Sequence, residues 1–303
     1  MNYHYLLKHV ELFPYVLGIK YSQFEAILPR FSQALRLAET KEAWSKPRVR
    51  LPGGGRKATL KTDRQKLFFM FFYYKVYPTF RLAQVLFEFD KANIQIWFEF
   101  LQGVFHQALG CELRLPLVRA RCIKEVLTIC PALKEFLIDA TERRINRPKD
   151  LVAQEFYYSG KKKYHTVKTQ ILVNPRTKKI IAVSPTVEGK RHDKRLAEGD
   201  PALSHAPPGS KALADSGYQG LEANLNSFTK IVTPYKKPRR GELSDFQKQT
   251  NKQISSIRVR VEHPFAYLKH FNILSHTFRS RIPKSHSPFV NLACVYNFTR
   301  VHR

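Results

Sequence analysis

The chain has 303 residues, with 52 Lys and Arg against 24 Asp and Glu, for a formal charge of +28. So large a surplus of one sign repels itself and calls for a polyanionic partner, double-stranded DNA before RNA, with an acidic membrane surface as the competitor. No apolar run nears the roughly 20 residues of a spanning helix and no signal peptide is legible, so neither a membrane protein nor a secreted one is expected. Cys111, Cys122, Cys130 and Cys294 form no C-x-x-C pair. That argues against structural zinc and for a reducing cytoplasm, beside the nucleoid in a bacterium, or a nucleus.

The N-terminal segment, 1–45, reads as a helical lead. Ser22 and Glu25 have capping-box spacing there, and Pro29 should end or kink the helix they open. A basic linker at 46–61 holds two prolines and the triplet Gly53-Gly54-Gly55 before Arg56 and Lys57. It lacks phosphate-loop spacing. From 62 to 130 the pattern is helical. Thr62 or Asp63 caps a first helix that ends near Pro78, Thr79 a short second over Phe80–Phe89, and Asp90 a third over Lys91–Leu109. A further helix is expected around Arg119–Cys130. The third helix carries Ile94, Trp97, Phe98, Leu101 and Phe105 on one stripe. Short helix, tight turn and longer helix is the helix-turn-helix outline, with Lys91, Asn93 and Gln95 toward DNA. A plain three-helix bundle has the same outline.

The texture then changes, and 131–303 reads as α/β. Strands are expected at Phe136–Thr141, Tyr164–Val173, Lys179–Val187, Leu213–Asp215 and Lys230–Thr233, with a turn at Asn174–Thr177. A long helical pattern runs from about Leu243 to Phe271, its apolar face marked by Ile254, Ile257, Val261 and Leu268 and its kink by Pro264. The order implies an α/β sandwich around a mixed sheet.

Asp139 closes the apolar run Phe136-Leu137-Ile138, and Asp215 closes Ala212-Leu213-Ala214. If those strands are parallel neighbours, both carboxylates reach one edge of the sheet, where open α/β sheets bind ligands. Adjacent carboxylates repel, and a divalent cation holds both ionised. Glu262, on the closing helix between basic residues, is a third oxygen ligand. The set suits two Mg²⁺ ions, with Mn²⁺ as a substitute, and in-line phosphoryl transfer. Read singly, each acid also fits a turn cap or a surface ion pair.

The segments Ile138-Asp139-Ala140-Thr141-Glu142, Glu188-Gly189-Lys190-Arg191-His192-Asp193, Ala214-Asp215-Ser216-Gly217-Tyr218 and Val261 to Lys269 resemble DDE transposases, most closely the bacterial insertion-sequence group related to PIF/Harbinger elements. The resemblance implies a ribonuclease-H-like catalytic domain behind the helix-turn-helix region. It also implies Mg²⁺ dependence, cleavage at transposon ends and joining of 3′ ends to target DNA. By position the triad is Asp139, Asp215 and Glu262. Asp193 is either a helix cap or a member of the site.

Basic clusters surround this arrangement in the sequence. Lys162 and Lys163, Lys190, Arg191 and His192, and Lys236, Lys237, Arg239 and Arg240 lie on loops expected to rim the acids, a track for DNA phosphates. Arg258, one turn before Glu262, is the cation expected to steady a phosphate or a carboxylate. A homodimer or larger assembly on DNA is expected. The alternative is a catalytically silent relative that binds DNA sequence-specifically.

Overall fold

The computed structural model describes residues 3–44, 59–110, 135–204, 206, 209–221 and 230–301. The linker with Arg56 and Lys57, the expected helix near Arg119 and three of the four cysteines lie outside them. The chain divides into two compact units. One comprises Met1–Glu112, His270–Leu274 and Ser287–Arg303; the other comprises Leu113–Lys269 and Ser275–His286. The last helix therefore packs with the N-terminal unit rather than with the α/β unit in which the sequence suggested it.

The first unit is helical. Short helices α1 (Tyr3–Lys8) and α2 (Phe13–Val16) precede α3 (Tyr21–Trp44), α4 (Asp63–Val76), α5 (Phe80–Phe87) and α6 (Lys91–Leu109). The caps fall where the residues predict. Thr62 and Gln65 form a capping box, Thr79 accepts from Leu82 N–H, and Asp90 accepts from Ala92 N–H. α4 ends on Tyr77 and α5 on Glu88, both in the left-handed conformation.

Two expectations fail in α3. Its N-terminal bond runs from Lys20 N–H to Gln23 Oε1 (3.0 Å), while Glu25 binds Arg64, so Ser22 and Glu25 form no capping box. Pro29 lies inside an unbroken helix, because burial of Phe24, Ile27, Phe31 and Leu35 outweighs one lost backbone bond.

Every residue from Lys66 to Tyr74 of α4 is buried, so its apolar run is core. Ile94, Phe98, Leu101 and Phe105 meet it from α6, with Phe71 and Phe105 edge to face at 5.3 Å; Trp97 is only half-buried. Among the described residues no helix is long and apolar enough to cross a membrane.

The second unit is built on a seven-stranded sheet. Its elements are β1 (Glu135–Arg144), α7 (Leu151–Tyr157), β2 (Tyr158–Ser159), β3 (Tyr164–Val173), β4 (Ile180–Val183), β5 (Val187–Glu188), α8 (Asp193–Glu198), α9 (Pro201–Ser204), β6 (Lys211–Leu213), β7 (Lys230–Val232), α10 (Asp245–Arg258) and α11 (Glu262–Lys269). Two more helices follow, α12 (Asn272–Ser275) and α13 (His286–Val301). β1 pairs antiparallel with β3 and parallel with β6, which pairs parallel with β7. The other edge of β3 carries β2, β5 and β4 in turn.

The third expected strand is thus split in two, at Ser184–Thr186. Ser184 N–H still donates to Gln170 O there at 2.9 Å, but Gln170 N–H goes to Ser184 Oγ rather than to a backbone carbonyl. The turn at Asn174 is as expected, its side chain accepting from Arg176 and Thr177 N–H. One face of the sheet buries Phe136, Ile138, Leu172 and Ala212 against Ala197, Leu203 and Tyr218.

The closing helix breaks at a 3-10 turn, Val259–Val261, before Pro264. In a continuous helix a proline ring clashes with the carbonyl four residues back, here that of Arg260, which accounts for the break in the preceding turn.

Candidate active site

β1 runs five residues past Asp139, so this residue lies inside the strand rather than at its end. What levels the two aspartates is the parallel register. Leu137 pairs with Leu213, and Asp139 and Asp215 each lie two residues beyond. β6 stops at Leu213, which lets Asp215 cap a 3-10 turn with Oδ1 accepting from Gly217 N–H at 2.7 Å. Asp139 Oδ1 accepts from Ala140 N–H at 2.8 Å.

Burial pushes the Asp139 carboxyl up to about 6. Asp215 and Asp193 add to the rise, and the Arg258 guanidinium opposes it. Arg258 is therefore the cation facing Asp139. Arg260 turns away and donates to Pro175 O at 3.0 Å.

Asp193 is also drawn in. His192 caps α8 through Nδ1, so its side chain serves the helix, while Asp193 Oδ1 accepts from Lys168 Nζ at 2.9 Å. Lys168 is buried, donates to Arg191 O at 2.7 Å, and lies 3.7 Å from Glu142 Oε1. A methyl group at Gly217 would meet Asp215 Oδ1 at 2.9 Å and Asp193 Oδ2 at 3.3 Å. Gly217 therefore has to be glycine for the two carboxylates to keep these positions. Tyr218, on the same turn, is buried and donates to Gln170 Oε1, and Gln170 donates to Asp200 Oδ2. Burial holds the Tyr218 hydroxyl far above its ordinary pKa, and Asp193, Asp139, Asp215 and Asp200 reinforce this.

Glu262 does not join these acids. It is exposed at the head of α11, immediately after the 3-10 turn that runs beside β1. Among the described residues no three acidic, histidine or cysteine side chains converge as a cation site. The expected triad is brought together in two of its members, with Asp193 as a further acid that bears on Asp139.

Of the expected DNA-contacting residues, Arg56 and Lys57 lie outside the described residues, Arg191 and Arg258 are half-buried, and the others fall on exposed surface. Lys91, Asn93 and Gln95 lie on the first turns of α6, with Gln95 bonded to Glu99. Lys162 and Lys163 form the turn before β3. Lys236, Lys237, Arg239 and Arg240 precede α10, and Lys237 lies 3.6 Å from Glu242. Lys190 donates to Glu155 O, and Arg191 pairs with Glu188 at 2.7 Å. A cleft is lined by Glu188, Lys190, Arg191, His192, Arg195 and Glu198. Lys168, Glu142 and Gln170 escaped sequence reasoning. Their signal was polarity at inward positions of apolar strands, and it has no direction until the strands are paired.

The fold and site define an α/β protein whose acidic centre lies between parallel neighbouring strands. Residues 138–296, just over half of the chain, match the family model described as DDE superfamily endonuclease, and the chain belongs to that family. It is 34% identical over 175 residues to the probable transposase for insertion sequence element IS702 of Microchaete diplosiphon, which covers 58% of this chain and 60% of that one. It is 30% identical over 106 residues to the putative transposase for insertion sequence element IS112 of Streptomyces albus G, over 35% of this chain and 38% of that one. The chain thus spans less than two thirds of the length of either relative. No solved structure matches it.

Proposed function

We propose that this chain is a transposase. It binds the terminal inverted repeats of its element as double-stranded DNA, cleaves the backbone there and joins the 3′-hydroxyl ends to target DNA. The observation that carries the reading is the β1–β6 register, which levels Asp139 with Asp215. A ribonuclease-H-like description of the second unit is supported by its strand order, with antiparallel strands on one side of β1 and the parallel β6 and β7 on the other.

The residues fit a hard divalent cation. Asp139 and Asp215 offer oxygen donors, and the raised Asp139 carboxyl marks buried negative charge that a cation would relieve. Asp139 and Asp215 would hold Mg²⁺, or Mn²⁺ in its place, with Glu262 completing the set when α11 turns its first residue inward. Two such ions supply activation of the attacking oxygen and stabilisation of the leaving one. The chain's own part is positioning. Gly217 leaves room for the Asp215 and Asp193 carboxylates, Lys168 anchors Asp193, and Arg258 neutralises charge beside Asp139 or steadies a phosphate. Lys162, Lys163, Lys190, Arg191, Lys236, Lys237, Arg239 and Arg240 grip the phosphate backbone, and Lys91, Asn93 and Gln95 on α6 read base edges in a helix-turn-helix. A homodimer would hold paired ends.

The exposed Glu262 favours a second reading, a DNA-binding relative without chemistry. End-labelled DNA flanking the gene, incubated with protein in Mg²⁺, Ca²⁺ or EDTA, separates the two. Discrete Mg²⁺-dependent nicks that disappear in Glu262→Gln and Asp215→Asn, with DNA affinity kept within a few fold, establish the transposase. Site-specific binding without nicks establishes the relic. Nicking that persists in Glu262→Gln removes that residue from the triad.

A further inference from the structure

The short helix α7 shows an unusual surface. Leu151 is 76% exposed and Val152 77%, Phe156 42% and the following Tyr158 43%, and no residue of α7 is buried. Apolar side chains so open to water, clustered on one helix and its exit, mark a contact site. The rim identifies its kind. Arg144, Arg147, Lys149, Lys161, Lys162 and Lys190 are all exposed around it. Lys190 Nζ lies 5.7 Å over the Phe156 ring, and Arg144 lies 4.9 Å over Tyr164. The acids in the segment are Asp150, which caps α7 by accepting from Ala153 N–H, and Glu155. A protein or second copy with this surplus of positive charge would be repelled by the rim. A polyanion that offers flat apolar faces is not.

The patch is also connected to the acids. Lys190 donates to the Glu155 carbonyl at 3.2 Å and belongs to the loop that leads through Arg191 and His192 to Asp193. β1 carries the chain from Asp139 to Arg144, roughly 17 Å at about 3.4 Å per residue, or about five base pairs of stacked DNA.

Resting on the transposase reading, we propose that the face of Leu151, Val152, Phe156 and Tyr158 receives an unpaired base of distorted DNA while the basic rim holds the flanking phosphates. Aromatic platforms ringed by cations bind unstacked bases in this way, and apolar side chains wedge between base steps.

The probes for a test are a short fluorescein-labelled duplex and the same duplex with a central mismatched bubble carrying 2-aminopurine. Wild-type protein is expected to bind the bubble about tenfold tighter than the duplex at equal salt and to quench 2-aminopurine. Phe156→Ala, and separately the pair Leu151→Ser with Val152→Ser, should lose that preference and the quenching while duplex affinity stays within about twofold. A preference equal in wild type and variants, or absent from wild type, overturns the proposal. So does a sedimentation result in which the variants dissociate a dimer, or loss of binding to anionic vesicles, with bubble preference unchanged. If wild-type protein binds neither DNA, the transposase reading itself fails and this inference with it.

Discussion

The Asp139 carboxyl, pushed from 3.8 to about 6 chiefly by burial, ties the site to the stability of its unit. Below about pH 4 the group is protonated in folded and unfolded chains alike, and its shift costs nothing. Between about pH 4 and 6 the unfolded chain releases its proton first, so stability falls as pH rises. Above about 6 the deficit is constant, at most about 3 kcal/mol. Asp139→Asn keeps the acceptor for Ala140 N–H and removes the charge. In EDTA it should be more stable than wild type by about 1–2 kcal/mol at pH 7.5, with the gain gone near pH 4. Urea unfolding at both pH values measures this, and an equal gain at both would show that charge is not the cause. Gly217 makes a second prediction at this scale. Gly217→Ala inserts a methyl group between Asp215 and Asp193, at 2.9 and 3.3 Å. Cleavage should fall about a hundredfold, because displacements near 1 Å misalign reacting groups. Circular dichroism and DNA affinity should hardly change.

Among the elements, α3 and the closing helix contrast two prolines. Pro29 lies exposed in the ninth position of a helix whose other face is held by buried aromatic and aliphatic residues. Pro264 lies in the first turn of α11, where a missing donor is least felt, and the helix breaks just before it. Pro29→Ala restores one backbone bond and relieves the ring's clash at Glu25 O. It is expected to stabilise the helical unit by about 1–2 kcal/mol after the entropy gained by the unfolded chain. A melting temperature unchanged or lowered would mean that the proline's geometry is needed. The caps of α4, α5 and α6 were legible because Thr62, Thr79 and Asp90 act on backbone N–H groups two or three residues away. The extent of β1 was not. Asp139, Thr141 and Arg143 share a face on which Arg143 is buried and bonded to Ser285 O and Thr169 Oγ1. Those partners are remote in the chain, so a strand that looks finished at the aspartate continues.

At the scale of the whole molecule, charge dominates. A net +28 predicts tight, salt-sensitive binding to duplex DNA. With six or more phosphates neutralised, affinity should drop about a thousandfold between about 50 and 200 mM salt. A titration of fluorescent duplex by anisotropy checks this, and a flat response would remove the basic track from the proposed function. Division into two units also belongs to this scale. The segment 287–303 carries helical periodicity like its neighbours, and nothing local says which core will take it. Its burial beside Tyr74 and Gln102, with Asn291 Nδ2 donating to the Tyr74 hydroxyl at 2.9 Å, decides the matter.

The sequence by itself determined the charge, the caps of α4, α5 and α6, the apolar runs that lead into Asp139 and Asp215, and the four ordered motifs that tie the chain to its family. All of these depend on residues a few positions apart or on composition. Tertiary structure alone decided that Asp139 and Asp215 are level, that Lys168 anchors Asp193, that Arg260 is taken up by Pro175 O, and that Glu262 stands exposed. Each of those depends on strand register or on which way a helix turns after a break. Register and turn are set by packing between segments that the chain order leaves far apart.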